Sequence, residues 1–380
     1  MGLLLDYCLA HQDALRKSID RLVQLESPST DKAAVDRCGA VLAAMLTEAG
    51  ATVTRFPQTQ RGDHLRAEFP GGSRRILLLG HFDTVWDVGQ IQRMPLREED
   101  GRLYGPGVYD MKASIALSIL AMRAVRGGLH AGSEVPTVVM LWTTDEEVGS
   151  ETSRGYIEAE ARTSDAVLVL EPSLPGGAAK TRRKGCGEFQ LTVHGLSAHA
   201  GIDPRKGVSA IHELAHQIVA LEELRDLERG ISVNVGVVSG GTRGNVVAEH
   251  ARAVVDVRVP TMKEANRIEA RMRQLRPVNP AASIEVTGSV ARPPLERTDG
   301  VARLYVQAKE VAAELGVDLG EGSTGGGSDG NFTAALGVPT LDGLGPDGDG
   351  AHALHEHVIL DDLPWRAAFL AALMQRIKAR

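Results

Sequence analysis

"LLLGHFDTVWDVG", Leu77 to Gly89, carries an apolar strand into a histidine, passes one residue and reaches an aspartate. On strand-like backbone His81 and Asp83 are two residues apart, so their side chains point the same way. A metal-bound imidazole usually donates its other N–H to a carboxylate, which fixes its tautomer. His-x-Asp therefore supplies a ligand and an orienting group, although Asp83 could equally act on a different side chain. Alone the pair is weak, because a histidine at a strand end is more often satisfied structurally.

Outward from this strand the sequence alternates apolar strands with helices. Leu15, Ile19, Leu22 and Leu25 keep helical spacing up to "SPST", where Pro28 ends the run. "DKAAVDRCGAVLAAMLTEAG" is a second amphipathic helix, with Thr30 or Asp31 as N-cap and Gly50 as its stop. Strands "TVTRF", "LRAEF" and "ILLLGH" follow, then the apolar helix "ASIALSILAMRAVRGG", the strand "TVVMLWTT" and the strand "AVLVLEP". This order predicts an α/β fold whose mixed, largely parallel sheet is covered by helices on both faces.

After "EPSLPGGAAKTRRKG" the texture changes. "EFQLTVHG" alternates strictly, and the order becomes β-α-β-β-α-β, a one-sided ferredoxin-like sheet with two helices. Helix–strand alternation resumes after "ARPPLERTDG". The reading is a discontinuous domain, 1–183 and 295–380, with 184–294 inserted into it.

Bulk properties narrow the function. The 380 residues are 43% hydrophobic and 24% charged, with a formal net charge of −7. That balance leaves no basic footprint for nucleic acid or an anionic membrane. No stretch reaches the length of a membrane span, and the N-terminal residues lack a signal-peptide layout. A cytoplasmic location is the default expectation. Cys8, Cys38 and Cys186 are odd in number and widely spaced, so they read as buried or half-buried thiols rather than a disulfide framework.

Four further stretches carry chemistry. In "YGPGVYDMKAS" a tight Gly–Pro–Gly turn delivers Asp110 to the start of an apolar helix, where a plain helix cap is the bland alternative. In "TTDEEVGS" three acids, Asp145, Glu146 and Glu147, follow directly on a buried strand. Carboxylates crowded there raise one another's pKa unless a cation compensates. Glu171 ends the apolar "VLVLE", and a Gly-rich loop in "GDGAHALHEHV" delivers His352, His355, Glu356 and His357. The last two histidines read more simply as surface or strand residues.

His81, Asp110, Glu147, Glu171 and His352 each fall at the C-terminal end of an expected strand or in the loop after it. Open α/β sheets bind ligands at that edge. Two histidines and three carboxylates suit a pair of Zn²⁺ ions, with Co²⁺ or Mn²⁺ as substitutes. Two ions about 3.5–4 Å apart require a bridging carboxylate and suit activation of a water between them. Asp110 fits the bridge, with His81 and Glu171 on one ion and Glu147 and His352 on the other. Glu146 is left beside a ligand, placed to take a proton from water.

Together, "GHFDTV", "GPGVYDMKAS", "TTDEEVGS", "LEPS", "GLSAHAG", "GGGSDGNF" and the late His352 resemble the zinc aminoacylase and carboxypeptidase family of peptidase clan MH. That family includes glutamate carboxypeptidases of the carboxypeptidase G type, acetylornithine deacetylase and succinyl-diaminopimelate desuccinylase. The resemblance covers nearly the whole chain. It implies a di-zinc catalytic domain with an inserted lid and dimerisation domain.

By the same resemblance Asp110 is the bridging ligand, Glu146 the general base and Glu147 its metal-binding neighbour; Asp83, read from the His-x-Asp pair, is counted with the catalytic residues. His199 in "SAHAG" corresponds to a lid histidine that stabilises the oxyanion in the partner subunit's active site. Asn245 and Arg258 match lid positions that bind substrate, and Arg292 sits where glutamate-specific relatives hold the substrate carboxylate. Gly326 and Gly327 form a loop that approaches substrate, and Asp329 is expected to cap the next helix. Tyr109, Ala113 and the missing proline after Asn245-Val246 depart from many relatives without touching a ligand.

The expected activity is hydrolysis of an amide bond next to a free carboxylate in a small peptide or N-acyl amino acid, as a glutamate-type carboxypeptidase. The alternatives are an N-acyl amino acid deacylase and, from another class, a non-catalytic metal-binding scaffold. A homodimer through the inserted domain is also implied, with "EFQLTVHG" expected to offer the pairing edge.

Overall fold

The computed structural model describes residues 2–129 and 135–378. Its contacts divide the chain into two compact units. The first comprises Met1–Thr181, Arg297–Ser323 and Ser328–Arg380, and the second Arg182–Glu296 with Thr324–Gly327. The 324–327 loop groups with the second unit because Arg183 Nη1 donates to the carbonyls of Gly326 (3.1 Å) and Gly327 (3.0 Å).

The first unit is built on a six-stranded sheet. Its spatial order is Thr52–Phe56, His64–Phe69, Pro136–Thr143, Gly72–His81, Ala166–Val169 and Thr340–Leu341. The first two pairings are antiparallel and the remaining three parallel. Period-2 alternation sends successive side chains of the His81 strand into separate cores. Ile76 and Leu78 join the cluster under the Ala113–Arg126 and Asp362–Arg376 helices, while Leu77 and Leu79 pack with Ile157 and Phe332 on the other face. Being buried on both faces, the strand is a continuous apolar run, as parallel sheets require.

Local signals set the helix ends. Asp31 accepts from Ala34 N at 3.0 Å and caps the Lys32–Glu48 helix, and Gly50 beyond it adopts φ 95°. An N-terminal helix, Gly2–Ala10, precedes the elements read from sequence.

The second unit is a four-stranded antiparallel sheet in the order Ser232–Gly240, His250–Val259, Gly185–His194, Ser283–Arg292. Phe189, Leu191 and Val193 bury one face against Leu214 and Ile268 of its two helices. One expectation is overturned here. "EFQLTVHG" is an interior strand, bonded to neighbours along both sides, so it offers no pairing edge. Strict alternation reports one buried face and says nothing about which strands lie alongside. The edges are Ser232–Gly240 and Ser283–Arg292.

Candidate metal centre

Three parallel strands bring the ligand candidates to one edge of the first unit's sheet. His81 is the last residue of its strand. Gly80 before it has no room for a side chain, since a Cβ would fall 2.6 Å from Met111 Cε and 2.7 Å from Trp142 Cζ3. Glu146 and Glu147 open the short helical turn that follows the neighbouring strand. Glu171 lies two residues beyond the Ala166–Val169 strand.

Asp110 arrives from a different direction. Gly107 takes φ 70°, which turns the chain back on itself, and Asp110 is extended (φ −116°, ψ 90°). The N-cap position of the following Ala113–Arg126 helix is Lys112, and the Asp110 carboxylate is directed at His81 and His352 instead, so the bland reading of this residue fails. His352 holds φ 62°, a left-handed conformation uncommon for a non-glycine residue, in the loop after Gly350.

The geometry is that of one carboxylate shared between two groups. Asp110 Oδ1 lies 3.1 Å from His81 Nε2, which is also 3.5 Å from Glu171 Oε1. Asp110 Oδ2 lies 3.4 Å from His352 Nε2, which is 3.1 Å from the Glu147 carboxylate. Ligand atoms of His81, Asp110 and Glu147 lie within 4.8 Å of one another, as do those of His81, Glu146 and Glu171. Glu146 thus stands beside the His81–Glu171 pair, whereas the sequence left it simply next to a ligand.

The electrostatics fit a cation site. Burial opposes charge on His81, yet Asp110, Asp83 and Glu171 raise it well above the usual imidazole range. Asp110 and Glu147 push His352 up to about 10. Burial works to raise Asp110, but His352 and His81 outweigh it and hold the carboxyl well below its ordinary value. Without metal the cluster gathers protons on its imidazoles, and a divalent ion would replace that positive charge. Two nitrogen and three or four oxygen donors form a borderline-to-hard set suited to Zn²⁺, Co²⁺ or Mn²⁺.

Asp83 supports the cluster from below. It is fully buried, and its Oδ2 accepts from Ser29 Oγ at 2.7 Å and from Glu147 N at 3.3 Å. Its Oδ1 is 3.4 Å from His81 Nδ1, which also lies 3.0 Å from the Asp83 carbonyl oxygen. Asp83 thus touches both halves of the cluster.

Two acids do other work than their sequence position suggested. Asp145 is not among the converging carboxylates. It turns back into its own loop and accepts from Thr152 N and Oγ1, both at 2.7 Å. Asp329 occupies the N-cap position of the helix after it, but its side chain makes no cap bond there; the carboxylate instead accepts from Thr143 Oγ1 at 3.1 Å and from Ser150 Oγ. Both acids brace the loop that carries Glu146 and Glu147. Ser29 was not singled out from sequence, since nothing local marks a serine whose partner lies 54 residues away.

The remaining candidates belong to the second unit and form two groups there. His199 is exposed, accepts at Nδ1 from Gly201 N and Ile202 N (both 3.1 Å), and pairs as an isolated bridge with Val246. Asn245, beside Val246, accepts from Ala200 N at 3.0 Å. Elsewhere, Arg258 and Arg292 stand opposite Cys186 on the two strands flanking it. Arg258 pairs with Asp256 through two bonds of 3.0 and 2.8 Å and donates to Cys186 Sγ at 2.6 Å. A Cβ on Gly327 would fall 2.6 Å from Arg292 Cδ, so a side chain there would have to push the arginine stem aside.

Comparison with known proteins follows the same lines. The family model described as peptidase family M20/M25/M40 matches residues 77–376. The chain belongs to this family. It is accordingly a metal-dependent peptidase or amidohydrolase.

Among relatives of this M20 chain, carboxypeptidase G2 of Pseudomonas sp. (strain RS-16) is 29% identical over 378 residues, covering 97% of this chain and 90% of that protein. A succinyl-diaminopimelate desuccinylase of Xanthomonas oryzae pv. oryzae (strain MAFF 311018) is 29% identical over 361 residues, covering 90% and 93%. The crystal structure of aminopeptidase PepT from Bacillus cereus ATCC 10987 superposes with a TM-score of 0.82 at 23% identity, over 96% of this chain and 98% of that one. The Bacillus subtilis YXEP protein, titled a dinuclear metal binding peptidase, gives a TM-score of 0.73 at 16% identity, over 96% and 98%. These two likenesses establish the M20 fold. Among the described residues, no helix is long and apolar enough to cross a membrane.

Proposed function

We propose that this M20 chain is a co-catalytic di-zinc hydrolase that cleaves an amide bond next to a free carboxylate, releasing a C-terminal amino acid of the glutamate type. The observation carrying it is the division of Asp110, whose two oxygens face separate histidine–carboxylate groups. His81 and Glu171 would hold one ion, Glu147 and His352 the other, and Asp110 both. Zinc in those positions supplies Lewis acidity toward the scissile carbonyl and lowers the pKa of water.

The protein's own groups do the rest. Glu146 takes the proton of the attacking water and passes it to the leaving amine. Asp83 holds the Nδ1 proton of His81 so that Nε2 faces the metal. His199 reaches the partner subunit's active site and donates to the developing oxyanion there, a role supported by the family resemblance. Arg292 holds the substrate carboxylate, Asn245 and Arg258 bind the substrate elsewhere along its length, and the Gly326–Gly327 loop approaches it closely; the placement of Arg292 beside Cys186 and against Gly327 supports its part. Dimerisation through the second unit is part of the proposal, with the Ser232–Gly240 edge and its exposed Val237 and Val238 as the pairing surface.

The desuccinylase relative supports a second reading, an N-acyl amino acid deacylase. Elemental analysis, combined with hydrolysis of acyl-glutamates, acetyl-ornithine and succinyl-diaminopimelate before and after chelation, tests both. Close to two ions per chain, with acyl-glutamate hydrolysis lost to chelator and restored by zinc, is the expected result. Preferential hydrolysis of acetyl-ornithine or succinyl-diaminopimelate selects the deacylase. Bound metal with no hydrolysis of any member overturns the glutamate-type assignment and leaves another substrate or a scaffold.

A further inference from the structure

Glu356 is fully buried, four residues after His352, and is not among the clustered ligand candidates. Its two carboxylate oxygens receive four N–H donors. Oε2 accepts from Gly107 N (2.9 Å) and Trp86 Nε1 (2.8 Å), and Oε1 from Tyr109 N (3.0 Å) and Asp110 N (3.1 Å). Its backbone carbonyl accepts from Gly105 N at 3.3 Å.

The 105–110 turn needs an outside acceptor. With Gly107 at φ 70° and Asp110 extended, it departs from regular helix geometry. Its amide N–H groups line a concave backbone nest, a natural seat for an anion. Glu356 supplies that anion from within the chain, 246 residues beyond Asp110. The same carboxylate reaches Trp86, five residues after His81. Three ligand-bearing segments, 81–86, 105–110 and 350–356, therefore converge on one buried side chain.

We infer that Glu356 is a positioning residue that couples the two metal sites by holding Asp110 in register between His81 and His352. The inference rests on the di-metal reading above. Asp110 must present one oxygen to each histidine group, and a small rotation of its backbone would favour one at the other's expense. The bond from Asp110 N to Glu356 opposes that rotation. The chain link from Glu356 back to His352, held at positive φ, ties the second histidine to the same anchor. Glu356 touches no reacting atom in this scheme.

The experiment compares wild type with E356Q, and with W86F, which removes a single donor while leaving the carboxylate. Gln is nearly isosteric, keeps one carbonyl oxygen and turns an NH₂ toward two N–H donors. Zinc and cobalt affinities are measured by chelator competition, well below the melting temperature, together with the Co²⁺ visible spectrum and the separate kcat and KM values.

The expected result for E356Q is an affinity for the second ion at least about tenfold weaker, the first ion little changed, an altered cobalt spectrum, and kcat reduced with KM nearly constant. W86F should stay within a few-fold of wild type. Two wild-type affinities and an unchanged spectrum in folded E356Q would overturn the inference while leaving the di-metal reading intact. Failure of wild type to bind two ions would instead strike that reading. Hydrogen exchange on metal-free wild type tests the anchor without any variant: the Gly107, Tyr109 and Asp110 amides should be strongly protected, and free exchange there would also overturn it.

Discussion

Replacing Asp83 with asparagine is a narrow test of how this centre is supported, because the change keeps volume and removes one buried charge. In the native protein Oδ2 accepts from Ser29 Oγ and Glu147 N, while Oδ1 lies 3.4 Å from His81 Nδ1. In Asp83→Asn the new amide nitrogen must face either the His81 proton or the Ser29 and Glu147 donors. Facing His81, it sets donor against donor; facing the other side, it deprives Glu147 N of its acceptor.

The structure tempers the loss on the histidine side. His81 Nδ1 is already 3.0 Å from the Asp83 carbonyl, so its tautomer survives. What disappears is one charge-assisted contact and a negative charge beneath the ions. Loss of a hydrogen bond involving a charged group costs roughly 1.5–3 kcal/mol. Outer partners of metal-bound histidines typically contribute 10–100-fold in affinity, about 1.4–2.7 kcal/mol. The retained carbonyl contact places the expectation near the lower end, about tenfold weaker zinc binding. Competition against a chromophoric chelator reads this directly. Affinity within twofold of wild type would refute the supporting role. A loss beyond about 10⁴-fold would mean that Asp83 does more than orient His81.

Three other outcomes follow from the same geometry. Zinc uptake by the metal-free protein at neutral pH should release close to two protons, because both imidazoles are raised and His352 titrates near 10; affinity then rises with pH until those groups are neutral. Calorimetry in buffers of different ionisation enthalpy measures the count, and release of less than about half a proton contradicts the charge assignment. Glu146→Gln should keep its metal by elemental analysis while turnover falls roughly 10²–10⁴-fold, and normal turnover removes Glu146 as the base. Leu78→Ala, in the fully buried strand leading to His81, should destabilise the fold by about 2–5 kcal/mol in denaturant titration. A loss under about 1 kcal/mol would mean the core closes over the cavity.

Much of this architecture was legible because its determinants are local. Continuous apolar runs marked the strands of the first unit, Asp31 marked a helix start, and alternation in "EFQLTVHG" marked a half-buried strand in the right order of elements. Three of the ligand candidates, His81, Glu147 and Glu171, stood out for the same reason, since each follows a strand whose burial is written in consecutive residues, whereas Asp110 and His352 were marked by the glycine-rich turns that precede them. Acidic character alone was a poorer guide. Asp145, Glu146 and Glu147 are adjacent in sequence, yet Asp145 bonds back to Thr152 while its neighbours face the histidines.

By itself, then, the sequence determined the elements, their order and the kinds of donor that end them, since propensity, periodicity and caps act over a few residues. Tertiary structure alone decided the neighbours. It made the Gly185–His194 strand interior, set Ser29 beneath Asp83, turned Asp329 toward Thr143 and Ser150, and brought Glu356 under the turn that presents Asp110. Those pairings span tens to hundreds of residues, and a hydrogen bond closed across such a distance leaves no periodic trace in the chain at either end.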